Sequence, residues 1–364
     1  MKIIRMSMRR KTRNSCLVLI GTSLLFGDGV LTPAISVLSA TEGLALLNPD
    51  LDVVAVPATV VILAILFSIQ SRGTNTIGKV FGPVTFVWFA LIGGLGIYRI
   101  IEHPDVLVAL SPTYAIQYFA SHGLHSIFVL AAVILVVTGA EALYTDMGHF
   151  GARPIRIAWV FIVGPALVLC YLGQAALLMN EPSAVTNPFF ALAPNKPMTV
   201  LLIVVATAAT IVASQALITG VFSLSRQAVQ LGLFPRLTIR HTNADQEGQI
   251  YVPIANWLVG FTSISLVIAF KSSSALASAY VLAIAGTMTV TTVAFTIVAR
   301  LVWKWPLWKI APLTTSFLSL DIAFLIGTAS RFLDGGWVPV VLGAIILSVM
   351  LIWRAGNQAL NKKM

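Results

Sequence analysis

Long apolar runs separated by short polar loops constrain this 364-residue chain more than any other feature. A helix that crosses the roughly 30 Å hydrocarbon core of a bilayer needs about 20 apolar residues. Backbone groups in lipid must bond internally, and none of the runs alternates as the strands of a membrane β-barrel do. The chain is therefore predicted to be an all-α polytopic membrane protein with ten transmembrane helices. The ten runs are approximately 15–41, 53–70, 78–101, 125–146, 156–179, 199–223, 252–270, 274–299, 310–329 and 337–354.

Composition excludes a soluble protein. The chain is 58% hydrophobic and only 10% charged, whereas soluble domains carry about 25% charged residues. The net charge of +10 would suit a nucleic-acid-binding protein, but the charges cluster in the short loops. That distribution is typical of membrane topology, so a lipid bilayer is the expected partner and nucleic acid is not.

The positive charges also predict an orientation. If the N-terminus is placed inside and the loops alternate, every Lys and Arg falls inside except Arg99, Lys196, Lys271 and Arg331. This bias predicts a multi-pass protein of the cell inner membrane with both termini cytoplasmic. No cleavable signal peptide is expected. The predicted organisation is a basic cytoplasmic N-terminus (1–14), a transmembrane domain (15–354) and a short cytoplasmic tail (355–364).

Two loops are longer than the others. The outside loop 102–124 is expected to lie along the membrane surface, and the inside loop 224–251 to form a short amphipathic helix followed by a polar turn. Cys16 and Cys170 lie in apolar runs without metal-ligand spacing, so both are interpreted as small buried side chains. No catalytic or nucleotide-binding motif is present, so neither an enzyme nor an ATP-driven pump is predicted.

Asp28 is a first candidate for a functional residue. Inserting an ionised carboxylate in a membrane helix costs about 2.5–3.5 kcal/mol, so its presence there requires a functional or structural explanation. Asp28, Thr32 and Ser36 are spaced four apart and share one helix face. Their oxygens could line a cation path; alternatively, the two hydroxyls bond back to helix carbonyls near Pro33.

Glu141 is a second candidate. It lies three residues after Thr138 and so neighbours it on a helix. The intervening Gly139-Ala140 pair leaves room for a helix break, which would free carbonyl oxygens for a cation beside a balancing carboxylate. The alternative is a Glu that is hydrogen-bonded inside the helix bundle.

Three further polar residues have structural interpretations. Asp146 and His149 are interpreted as cap and loop residues at the end of the fourth run. Asp321 is expected to make a structural polar contact with a partner that the sequence does not identify.

Five segments along the chain are GTSLLFGDGVLTPAISVLSATEGL (21–44), TGAEALYTDMGHFGARPIRIAW (138–159), NPFFALAP (187–194), ASQALITGVFSLSRQAVQLGLFPRL (213–237) and GQIYVPIANW (248–257). They resemble signature motifs of the Kup/HAK/KT potassium transporter family, and the resemblance covers nearly the whole chain.

The resemblance implies potassium uptake, with proton-coupled symport in bacterial members. It also implies the fold of the amino acid–polyamine–organocation superfamily, which has two inverted five-helix repeats. The fourth run would correspond to the broken sixth helix of that fold, and the first run to its less broken third helix. No cofactor is implied beyond the transported potassium ion and protons.

The resemblance also implies a potassium site. Thr32, Ser36, Thr138 and Glu141 match positions close to the ion, and Glu141 is the natural carboxylate for proton coupling. Asp28 matches an acidic position before the Thr-Pro motif of the family and joins Glu141 as an ion-path carboxylate. Tyr280 resembles a tyrosine near the ion path, although the family usually follows it with Gly rather than Val.

One departure from the family concerns its first two helices, which carry a GDIGTSPLY-like motif absent from this sequence. On this comparison the ion site would be incomplete, and the C-terminal cytoplasmic domain of many relatives has no counterpart. Two alternatives to a potassium permease therefore stay open: a non-transporting truncated fragment and an amino-acid permease of the same superfamily. A homodimer, and a separate piece that supplies the two helices, are also left open as partners.

Overall fold

The computed structural model describes residues 2–72, 75–123, 126, 129, 133, 139, 151–241, 250–329 and 332–363. Within these residues nine helices are long and apolar enough to cross a membrane. The helices are α1 (Lys2–Glu42), α2 (Asp52–Ile69), α3 (Asn75–Glu102), α4 (Pro112–His122), α5 (Ala152–Ala158), α6 (Gly164–Asn180), α7 (Lys196–Gln230), α8 (Pro253–Phe270), α9 (Ser273–Leu301), α10 (Leu307–Ala329) and α11 (Trp337–Lys363).

Short elements complete the fold. A π-helical turn, Trp159–Val163, joins α5 to α6 in one membrane-spanning helix, and a second π-helical turn, Phe332–Gly336, precedes α11. Strands β1 (Arg240–His241) and β2 (Ile250–Tyr251) pair antiparallel. The 3₁₀ helices are Gly43–Leu46, Pro49–Leu51, Gln70–Arg72, Pro104–Leu110, Pro182–Thr186 and Phe190–Leu192.

Nine of the ten predicted runs coincide with these spans, which confirms an all-α polytopic membrane protein. The fourth run, 125–146, lies outside the described residues apart from Ser126, Val129, Val133 and Gly139. The count of ten helices therefore stays a prediction. The first helix is longer than its run, because α1 begins at Lys2 and includes the basic segment 1–14 from its second residue onward.

The two long loops contain different structures. The loop 102–124, which is predicted to lie outside, contains the 3₁₀ helix Pro104–Leu110 and helix α4, both largely exposed. That it lies along the membrane surface stays a prediction. The expectation of a separate amphipathic helix in 224–251 is wrong for its described part. Helix α7 instead continues without interruption to Gln230, because no proline interrupts it after Pro197, and the chain turns at Gly232 with φ +68°.

Helix α1 is the centre of the bundle. It packs against α2, α7, α8, α9 and α11. Leu31, Ala34, Val37 and Leu38 on α1 are all completely buried. A polar residue on this helix can therefore face other helices instead of lipid.

A second core forms where α3 packs on α6. Two glycines bring these helices together: a Cβ on Gly96 would lie 2.3 Å from the Leu169 carbonyl oxygen, and one on Gly173 would lie 2.6 Å from Gly96 Cα. Small residues allow such close backbone approach between membrane helices.

Contacts between loops divide the helix ends into two groups. At one end the Glu42 carboxylate accepts hydrogen bonds from Ser273 N at 2.7 Å and from the Ser273 hydroxyl. Arg99 Nη2 donates to the Ala191 carbonyl at 3.0 Å. The ring of the adjacent Phe190 lies against Gly43, the residue after Glu42, so Arg99 and Glu42 lie at the same end of the bundle.

The opposite end has its own contacts. Asn256 Nδ2 donates to the Phe67 carbonyl at 3.0 Å, and Asn357 Nδ2 donates to that of Gly232 at 3.4 Å. The structure thus has two distinct ends, and Arg99, Lys196 and Lys271 belong to the first.

Candidate functional site

The predicted stripe on α1 is buried in the bundle. Asp28 is 2% exposed, Thr32 is 9% exposed and Ser36 is half-buried. The Thr32 hydroxyl donates to the Asp28 carbonyl oxygen at 3.1 Å and lies 3.5 Å from Asp28 Oδ1. Back-bonding of Thr32 is therefore confirmed. Its oxygen retains lone pairs, so this bond leaves the cation-path interpretation of the stripe open.

Pro33 removes one helical hydrogen bond from α1, and side chains bond other carbonyls of the same region. Pro33 has no N–H to bond the Gly29 carbonyl, although α1 continues through it as one helix. The neighbouring Val30 carbonyl accepts a 2.7 Å hydrogen bond from the Ser263 hydroxyl of α8. This turn of α1 is thus stabilised partly by side-chain donors, one of them from another helix.

Gly29 sets how closely α7 approaches the stripe. A Cβ at Gly29 would lie 2.3 Å from Val221 Cγ2 of α7. The first candidate carboxylate, Asp28, therefore lies one residue from a close contact between α1 and α7.

Tyr280 lies on α9 in the same core. It is 8% exposed and belongs to one buried cluster with Val30, Leu31 and Ala34. Val281, the next residue, is 2% exposed and packs in that cluster too. The structure therefore brings Tyr280 to the α1 region, as a contribution to the same site requires.

Thr138 and Glu141 lie outside the described residues, as do Asp146 and His149. Gly139, the residue that follows Thr138, is among the described residues. It is not helical and has φ +98°, a conformation that L side chains rarely adopt. This agrees with the predicted helix interruption at the Gly139-Ala140 pair.

Sequence reasoning missed Gln215 on α7. Its side chain is 2% exposed, and its Oε1 has no hydrogen-bond partner in the described part of the chain. A buried amide oxygen without a donor is costly. The amide is uncharged and stands within a long apolar run, so only its polarity next to Ser214 could have drawn attention to it.

Asp321 has the structural role expected of it. Thr292 Oγ1 of α9 donates to Asp321 Oδ2 of α10 at 2.6 Å, and Thr296 and Thr314 pair at 2.9 Å between the same helices. The sequence-based interpretation is confirmed, and Thr292 is the partner that the sequence could not identify.

Cys170 is buried, as predicted, with Gln174 Nε2 3.4 Å from its sulfur. The side chain of Cys16 lies outside the described residues.

Comparison with known proteins gives a consistent result. The family described as "K+ potassium transporter integral membrane domain" matches residues 1–358. The chain is 52% identical over 342 residues to "Probable potassium transport system protein Kup" of Anaeromyxobacter dehalogenans strain 2CP-C, which covers 94% of this chain and 51% of that protein.

Two further relatives carry related names. "Probable potassium transport system protein Kup 1" of Rhodopseudomonas palustris is 49% identical over 345 residues, covering 95% of this chain and 56% of that protein. The Kup protein of Xanthomonas campestris pv. campestris strain 8004 is 46% identical over 368 residues, covering 100% of this chain and 58% of that protein. The chain spans about half the length of the curated relatives it matches.

Proposed function

Because the chain belongs to the family of K+ potassium transporter integral membrane domains, we propose that it takes up potassium ions across the cytoplasmic membrane. The observation that carries this proposal is the match of the family over residues 1–358. The structure supports it with a multi-pass bundle whose central helix carries the buried oxygens of Asp28 and Thr32.

The chemistry of these residues suits potassium. Cation sites in membrane proteins are built from carbonyl and side-chain oxygens that replace the hydration shell of the ion. We assign that role to Thr32, Ser36, Thr138, Glu141 and Tyr280, with Asp28 balancing the charge along the path. Gln215 Oε1, which has no hydrogen-bond partner among the described residues, supplies a further buried oxygen on α7, a helix packed against α1.

The finer features of the fold are part of the proposal. The helices are arranged as in the inverted five-helix repeat fold, with a broken helix at Gly139. Both termini are cytoplasmic, since Arg99, Lys196 and Lys271 share the end that carries few positive charges. Single cysteines at Lys2 and Asp50, labelled from outside in intact cells, test this orientation: label at Asp50 alone is the expected result.

Uptake in cells tests the function. The chain is expressed in a bacterium that lacks its own potassium uptake, and rubidium-86 uptake is measured beside the amount of protein in the membrane. We expect uptake by the chain, and loss of it in Thr32→Val at an unchanged membrane level. Ser39→Ala is the matched control, because Ser39 lies on the same helix but is exposed.

The alternatives predict different results. An amino-acid permease would take up labelled amino acids and leave rubidium outside. A non-transporting fragment would reach the membrane and transport nothing, while the Xanthomonas campestris relative, expressed in parallel, takes up rubidium. Either outcome would contradict potassium uptake by this chain.

Proton coupling rests on Glu141. In a coupled symporter, potassium added to de-energised vesicles drives proton entry, which a pH-sensitive dye reports. Glu141→Gln removes the titratable group but keeps a similar shape, so we expect proton entry to disappear. Proton entry that persists in Glu141→Gln would exclude this residue as the coupling group.

A further inference from the structure

The connection between α9 and α10 combines tryptophans with positive charges. We call residues 300–309, with the sequence RLVWKWPLWK, the tryptophan loop. The rings of Trp303 and Trp305 lie 5.3 Å apart, and both contact Phe295 of α9 at 5.9 and 6.3 Å between centroids. Trp308 is 72% exposed, and Lys309 Nζ lies 5.1 Å from the centre of its ring.

The backbone of the tryptophan loop is held in a defined turn. Trp303 N bonds the Val298 carbonyl at 3.1 Å, and Trp305 N bonds that of Ala299 at 2.9 Å. This turn places Lys304 at φ +54°. Glycine is the residue that normally occupies this conformation. The backbone of this turn therefore does not explain why residue 304 is a lysine, and its positive charge is the property left to consider.

Three cations of this loop have no acidic counterpart among the residues that the structure describes. Arg300, Lys304 and Lys309 are exposed, and none of them forms an ion pair with the described residues. The sequence contains no Asp or Glu from Gly248 to Leu320. Arg300 Nη1 donates to the Trp305 carbonyl at 3.2 Å, which orients the guanidinium and leaves its other N–H groups available.

We propose that the tryptophan loop binds the headgroup phosphate of an anionic phospholipid. Tryptophan rings concentrate at the level of lipid headgroups, and clustered Lys and Arg beside a membrane helix attract anionic lipids. The loop joins two membrane-spanning helices and therefore lies beside lipid headgroups. Among phosphate-bearing ligands, a lipid headgroup is the one already next to the loop. In this arrangement Arg300, Lys304 and Lys309 contact the phosphate, and the exposed Trp308 lies at the boundary with the acyl chains.

A second lysine provides a matched control. Lys271 also has a positive φ, +58°, and is exposed at the opposite end of the bundle. Lys271→Gly and Lys304→Gly therefore make the same backbone and charge change. A purely structural effect of replacing a lysine of positive φ would appear in both variants. Lipid binding should be weakened in Lys304→Gly alone.

The experiment measures tryptophan fluorescence of the purified chain in nanodiscs of phosphatidylcholine that contain a minority of brominated lipid. The brominated lipid is either phosphatidylglycerol or phosphatidylcholine, and its quenching reports contact. We expect stronger quenching by brominated phosphatidylglycerol. Lys304→Gly should lower that preference about fivefold, the effect of one positive charge at a membrane surface, while Lys271→Gly retains it.

Three results with the lipids alone would overturn the proposal: equal quenching by the two lipids in the unmodified chain, equal loss in both glycine variants, or no loss in Lys304→Gly. Inorganic phosphate at millimolar concentration should leave the preference in place. Its removal by phosphate would show a general anion site instead of a lipid site. The inference does not depend on which solute the protein transports.

Discussion

The Thr292 hydroxyl donates a 2.6 Å hydrogen bond to Asp321 Oδ2 and so ties α10 to α9. Asp321 is 3% exposed, so water cannot replace this donor easily. We expect Thr292→Val to destabilise the bundle by about 0.6 kcal/mol and at most about 1.7 kcal/mol, the range measured for hydrogen bonds between membrane helices. Thermal unfolding of the purified chain in detergent measures the change.

Thr291→Val is the control for this pair. Thr291 is the preceding residue on the same helix, but it is exposed, and within the described residues its hydroxyl bonds only the Thr287 carbonyl of its own helix. We expect a change within about 0.5 kcal/mol. If both variants melt at the same temperature as the unmodified chain, the hydrogen bond to Asp321 does not stabilise the contact between α9 and α10.

The Gly96–Gly173 contact predicts sensitivity to a single methyl group. Gly96→Ala places a Cβ 2.3 Å from the Leu169 carbonyl oxygen, a backbone atom, so α3 and α6 must separate. We expect a loss of about 1–3 kcal/mol in stability, as for other overpacked interiors. Gly94→Ala is the matched control, since a Cβ there meets no atom of the described residues within 4 Å. Equal melting temperatures for the two variants would contradict the close contact.

Glu42 stabilises the start of α9. Its carboxylate accepts from Ser273 N at 2.7 Å, in the first turn of that helix, where negative charge is favourable. We expect Glu42→Ala to cost about 1 kcal/mol, as the loss of a helix N-cap does. Glu42→Gln keeps an acceptor oxygen and should lose less. Thermal unfolding compares both with Asp50→Ala, an exposed acid in the adjacent loop; an equal effect in all three variants would argue against a specific role for Glu42.

The sequence predicts the spans well because about 20 consecutive apolar residues have few alternatives to a membrane helix. It predicts their ends less well. The run that begins at residue 15 belongs to a helix that begins at Lys2, because helical hydrogen bonding continues through polar residues outside the apolar stretch.

Contacts between the helices cannot be predicted from this sequence. Lipid-facing residues are as apolar as core residues, so a membrane helix shows no clear apolar face that fixes its rotation. The bonds from Ser263 to Val30 and from Thr292 to Asp321 could therefore not be predicted. Asp28 and Thr32 were identified because a carboxylate in an apolar run is conspicuous, whereas the uncharged Gln215 was not.

Gln215 allows a test that separates an ion ligand from a structural residue. Its buried Oε1 lacks a donor within the described residues, so Gln215→Leu removes an unsatisfied group and should stabilise the fold by about 1–3 kcal/mol. If Oε1 binds the transported ion, as proposed above, the same variant should raise the KM for rubidium about tenfold, equivalent to ~1.4 kcal/mol. Gln174→Leu, on α6, is the control and should leave the KM unchanged. A more stable Gln215→Leu variant with an unchanged KM would show that this oxygen lies off the ion path.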